Sequence, residues 1–160
     1  MTRFALAILV LLLASAGAPA NAAETIKVPY FASMKDGKTN MREGPGENYR
    51  IKWIYHRKGL PVEVIATYDV WRRVRDMDGE IGWVHMALLS RERMAVVMGA
   101  GMTAVTARAD AKSDVVGEAA RGAIGRLERC VPSACEVKFD RAEGWVARTQ
   151  LWGIGDGEQF

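Results

Sequence analysis

Between residues 40 and 90 the chain alternates apolar and polar side chains in short runs, each closed by a turn signal. Val62-Glu63-Val64-Ile65 alternates and then fills in, which suits a strand with one face fully buried. Trp71-Arg72-Arg73-Val74-Arg75 comes just after Tyr68-Asp69, so a hairpin is predicted between them. Asp76-Met77-Asp78-Gly79 is a strong turn, and Ile81-Gly82-Trp83-Val84-His85 begins the next strand. The mature region shows no sustained helical period. Short strands joined by tight turns predict an all-β fold, a small barrel or sandwich.

The same plan recurs further along. Asn40-Met41-Arg42-Glu43-Gly44-Pro45 leads through Trp71 to Gly82-Trp83-Val84, and Thr106-Ala107-Arg108-Ala109-Asp110 leads to Gly144-Trp145-Val146. Gly122 to Leu127 stands where Gly59 to Val64 stands in the first copy, and Cys135 to Phe139 replaces the Trp71 strand. In this alignment Arg108 is the counterpart of Arg42. The expected organisation is a first domain over 24–90, a second over 91–152 and a flexible glycine-rich tail over 153–160. Met94 to Met98 is left as either a first strand or a stiff linker. Each copy has about sixty residues, near the lower limit for a self-supporting core, so contact between copies or a covalent brace would help.

Residues 1–23 have the pattern of a secretory signal: Arg3, an apolar run from Phe4 to Leu13, then Ala18, Ala20, Ala22 and Ala23. The run is about ten residues where a membrane span needs about twenty, so no stable anchor is expected after cleavage. This places the mature protein in the periplasm or outside the cell. Formal net charge is +3, and loss of Arg3 leaves +2. Basic residues are scattered among acids, which argues against nucleic acid as a partner.

Cys130 and Cys135 are the only cysteines. In an oxidising compartment a disulfide across a hairpin is the leading reading. Zinc needs about four ligands, and His56 and His85 lie in the other copy, so no metal or other cofactor is expected. Redox chemistry lacks the Cys-x-x-Cys spacing.

At these residues the chain resembles the bacterial SH3-like domain family. The family's phrases stand here as Asn40-Met41-Arg42-Glu43-Gly44-Pro45, Gly59-Leu60-Pro61-Val62-Glu63-Val64, Trp71-Arg72-Arg73-Val74 and Gly79-Glu80-Ile81-Gly82-Trp83-Val84, over roughly residues 37–90. The second copy keeps fewer of them and is read as degenerate. The resemblance implies two tandem, strongly bent antiparallel barrels of five to six strands, used to recognise cell-wall peptides or to support a neighbouring domain.

Several residues have competing roles. Asn40, Gly44 and Pro45 suit a tight turn, and Gly82 and Gly144 leave room beside a strand. Trp83 and Trp145 recur in both copies, which favours a core role over a ligand platform. Trp71 serves either purpose. Ile51, Trp53 and Tyr55 fall on one side of their strand and Ile54 on the other; a bulge that sent Ile51 and Ile54 to the core would leave Trp53 or Tyr55 exposed for a ligand. Arg42 could grip a carboxylate, or pair internally with Glu43, Glu80 or Asp78. The candidate ligand-binding set is therefore Arg42, Trp53, Tyr55 and Trp71.

No nucleophile elbow, zinc-protease helix or phosphate loop is present, and a catalytic role is not expected. The reading is an exported, non-catalytic binding protein of the cell envelope, with a cell-wall peptide or an envelope protein as partner. The alternative is an interaction scaffold whose two copies pack together and cover Trp53 and Tyr55.

Overall fold

The computed structural model describes residues 26–110 and 112–160, so the signal over 1–23 lies outside the described residues. The first set of strands is β1 (Tyr30–Met34), β2 (Thr39–Arg42), β3 (Ile51–Tyr55), β4 (Pro61–Tyr68), β5 (Trp71–Arg75), β6 (Ile81–His85) and β7 (Leu89–Ser90). The second is β8 (Met94–Val97), β9 (Met102–Thr106), β10 (Val115–Ala120), β11 (Ile124–Cys130), β12 (Ala134–Lys138), β13 (Glu143–Ala147) and β14 (Leu151–Trp152). Each set forms one seven-stranded sheet, in the orders β3-β2-β6-β5-β4-β1-β7 and β10-β9-β13-β12-β11-β8-β14. The two orders are the same, position for position. The expected five to six strands become seven because a short strand precedes each motif and a two-residue strand closes it.

A single sheet can enclose side chains only by curling on itself, and both sheets do so. Met34, Met41, Val62, Val64, Val74 and Val84 fill the first interior, and Val97, Val105, Leu127, Val137 and Val146 fill the second. The glycine of each Gly-Trp-Val phrase sits where the second strand of its sheet crosses. A Cβ on Gly82 would lie 2.8 Å from the Arg42 carbonyl oxygen, and one on Gly144 would lie 2.6 Å from that of Thr106. Only a bare backbone permits the crossing.

That crossing corrects the alignment of the copies. Trp83 pairs with Arg42 and Trp145 pairs with Thr106. Glu43 N–H donates to the Arg50 carbonyl, and Ala107 N–H likewise donates to that of Asp114. Thr106 is thus the counterpart of Arg42, and Arg108 lies past the end of β9. The recurrence of arginine carries no structural message.

A bulge is present on β3, since Met41 pairs with Trp53 and Arg42 with Ile51, leaving Lys52 unmatched. It does not send Ile51 and Ile54 inward as expected; they are 39% and 44% exposed. Tyr55 turns toward the interior instead. Val116 is the matching bulge on β10.

Cys130 and Cys135 are disulfide-bonded and directly paired across β11 and β12. Their counterparts are Thr67 and Arg72, paired across β4 and β5. Buried Arg72 donates to the Asp69 and Trp71 carbonyl oxygens at 2.8 and 2.9 Å. Ala134 occupies the position of Trp71, so the disulfide closes a hairpin end that the first copy closes with a buried tryptophan and arginine.

Met94–Val97 is the first strand of the second sheet and is no linker. The tail expected to fray lies against the second sheet. Glu158 pairs with Arg93 at 2.6 Å, Arg148 donates to the Gly155 and Glu158 carbonyls, and Cys130 N–H donates to that of Phe160. The two sheets also touch: Ile124 packs on the first core, Phe31 meets Trp152 edge-on at 5.4 Å, and Arg57 donates to the Gly122 carbonyl.

Candidate ligand-binding surface

Gly82 and Val84 face the interior, so strand alternation turns Trp83 outward, where it is half-buried. Its direct cross-strand neighbours are Arg73 on one side and Arg42 on the other. The row continues to Ala66 beyond Arg73 and to Ile51 beyond Arg42. Tyr68, 61% exposed, meets Trp83 edge-on with centroids 6.5 Å apart. One face of the first sheet thus presents an indole between two guanidinium-bearing strands, bordered by a phenol and an isoleucine.

The nearby acids are committed elsewhere. Glu43 pairs with Arg50, whose hydrogen bond holds its carboxyl below the ordinary range. Glu80 pairs with Lys52 at 2.8 Å and is lowered first by that bond and then by one from the Trp53 indole. Arg42 donates to the Tyr49 carbonyl at 2.8 Å, and Arg73 is exposed and joins no ion pair among the described residues. Neither positive charge is neutralised. Residues 26–90 hold eleven Lys and Arg against eight Asp and Glu, whereas residues 91–160 hold ten against ten. The positive excess lies in the first sheet's half of the chain.

In the second sheet the same row reads Arg129, Glu136, Trp145, Thr106 and Val115. The Arg129 guanidinium lies over the Trp145 ring, 5.0 Å from its centroid, and pairs with Glu136 at 3.0 Å. Trp145 is buried at 7% exposure. This row is closed by its own side chains.

The four sequence-derived candidates do not converge on one groove. Arg42 belongs to the open row. Trp53 is 50% exposed but lies at the sheet edge beside Glu80. Tyr55 is fixed within the first sheet by a 2.7 Å hydrogen bond to Asp76. Trp71 is buried, with its ring edge-on to His85 at 5.4 Å, which removes it as a platform. Sequence reasoning missed Arg73, Tyr68 and the outward face of Trp83. Alternation held the signal, because a core Val84 requires an outward Trp83.

Asn40, Gly44 and Pro45 lie at β2 and the loop that follows it, where the Tyr49 ring packs so closely over Gly44 that no Cβ would fit. Among the described residues no cluster of metal-binding side chains occurs. A cavity of about 1100 Å³ opens between the sheets, lined by Lys35, Arg57, Met94, Ile124, Phe139 and Arg141 among others. It contains none of the candidate residues.

The open row lies within a segment, residues 35–91, that matches the family model of the bacterial SH3 domain. Residues 35–91 are a bacterial SH3 domain. The match starts just after β1 and ends just after β7, so the domain's sheet takes one strand from outside the matched segment. No curated protein matches the sequence. Among solved structures, NlpC2 from Trichomonas vaginalis is similar at 9% identity and a TM-score of 0.35, covering 80% of this chain and 49% of that one. NlpC1 from the same organism gives 10% identity and a TM-score of 0.34, covering 81% and 48%. The chain spans about half the length of each.

Proposed function

We propose that this is an exported, non-catalytic binding protein of the bacterial cell envelope that recognises a peptide of the cell wall through the outer face of its SH3 domain. The observation that carries the reading is the Arg73-Trp83-Arg42 row, a half-buried, outward-facing indole between two strands whose arginines join no ion pair among the described residues. Stacking on an indole with charge-assisted bonds alongside is a recognised way of holding a short acidic peptide. The apolar N-terminal run and the Cys130–Cys135 disulfide support export.

The rival scaffold reading draws on the contacts between the sheets, but Trp53 stays half exposed and Tyr55 is covered from within its own sheet. Co-sedimentation of residues 24–160 with purified peptidoglycan sacculi at low salt tests the proposal. Retention of the protein is expected. Its complete absence from the pellet would sink the wall reading and leave an envelope protein as the partner.

A further inference from the structure

By their registers the two rows differ in kind at three positions: Thr106 stands in place of Arg42, and the other two, 66 and 73, lie on the opposite side of the tryptophan. Ala66 is replaced by Arg129, and Arg73 by Glu136. In the second sheet the longer side chain reaches the tryptophan face and the carboxylate beside it fixes the guanidinium. In the first sheet the methyl of Ala66, two strands away, is too short to reach the Trp83 ring, and an arginine stands where the fixing carboxylate would be.

Resting on the proposed wall-binding role, we infer that Arg129 occupies in the second sheet the place that a ligand takes in the first. The pair at 66 and 73 is the specificity determinant of the row. With Arg at the first position and Glu at the second, the row is filled from within and its charge is cancelled. With Ala and Arg, no guanidinium caps the half-buried indole among the described residues and an unmatched guanidinium remains beside it, which selects a ligand that carries a carboxylate beside an apolar group. A like-charged ligand is rejected by Arg73. The second copy has therefore lost its site through the side chains at these positions, Thr106 for Arg42 included, while keeping its backbone.

A reciprocal exchange tests this without presupposing any ligand. Hydroxyl-radical footprinting read by mass spectrometry reports the exposure of each tryptophan in the folded protein, with circular dichroism confirming that each variant folds. Arg129→Ala should raise Trp145 reactivity to the level of Trp83, and the double variant Ala66→Arg with Arg73→Glu should lower Trp83 reactivity. Unchanged reactivity in either case overturns the claim of internal closure.

The ligand arm uses sacculi before and after amidation of their free carboxylates. Retention of the native chain should fall at least about tenfold on amidation, as loss of a charge-assisted contact implies, and should fall similarly for the Ala66→Arg/Arg73→Glu variant on untreated sacculi. Equal retention on amidated sacculi overturns the carboxylate as the selected group. If the native chain is not retained on any sacculus, the wall reading fails, while the footprint still decides whether Arg129 closes the second row.

Discussion

The hydroxyl of Tyr55 donates a 2.7 Å hydrogen bond to Oδ2 of Asp76, whose Oδ1 accepts the backbone N–H groups of Asp78 and Glu80. One buried carboxylate thereby ties β3 to the turn between β5 and β6. This explains why Tyr55 leaves the face it shares with Ile51 and Trp53 in a simple alternation. Burial first, and the bond to Asp76 second, push the phenol's pKa well above its ordinary value.

The consequence for stability has a definite sign. Below a pH of about 10 the phenol is protonated in both folded and unfolded chains, so its contribution is fully present. Above that pH the unfolded chain loses the proton and the folded chain keeps it, so stability declines as pH rises. Urea unfolding of Tyr55→Phe should show a loss of about 1.5 kcal/mol at neutral pH and a flatter decline at alkaline pH. An unchanged alkaline slope would contradict the assignment.

Gly82 and Gly144 predict a matched pair of steric effects. Alanine at either position forces a methyl against the crossing strand, and each substitution should cost about 1–3 kcal/mol by chemical denaturation. Gly37, where an added Cβ would meet nothing within 4 Å, serves as the control and should tolerate alanine with little change.

These glycines also show where the sequence was legible. The Gly-Trp-Val phrases, the Asp76–Gly79 turn and the paired cysteines each depend on local chemistry, and each marks its structural element correctly. The alignment of Arg108 with Arg42 failed because it followed residue identity. Register follows the buried alternation of Thr39 and Met41 against Thr103 and Val105, which places Arg42 beside Thr106. Trp71 was ambiguous for a similar reason: a tryptophan in a short strand reads alike whether its ring is covered or open. The covering group, His85, is brought to it only by the pairing of β5 with β6.

The disulfide predicts a modest, reversible contribution. Its cysteines are separated by 5 in sequence, so the closed loop is short, and loop entropy gives about 2 kcal/mol. Denaturation with and without a reductant should shift by about that amount, and the native protein should show no free thiol by mass spectrometry. A readily alkylated Cys130 in the native protein would contradict the pairing.

If the Arg73-Trp83-Arg42 face holds the ligand, charge reversal at one position tests it most directly. Arg73→Glu and Arg91→Glu change net charge equally, but Arg91 is an exposed residue outside the row. Co-sedimentation with sacculi at low salt should fall at least about tenfold for Arg73→Glu, corresponding to about 1.4 kcal/mol, and stay near the native level for Arg91→Glu. Equal loss in both variants, or full retention of Arg73→Glu, would contradict the account.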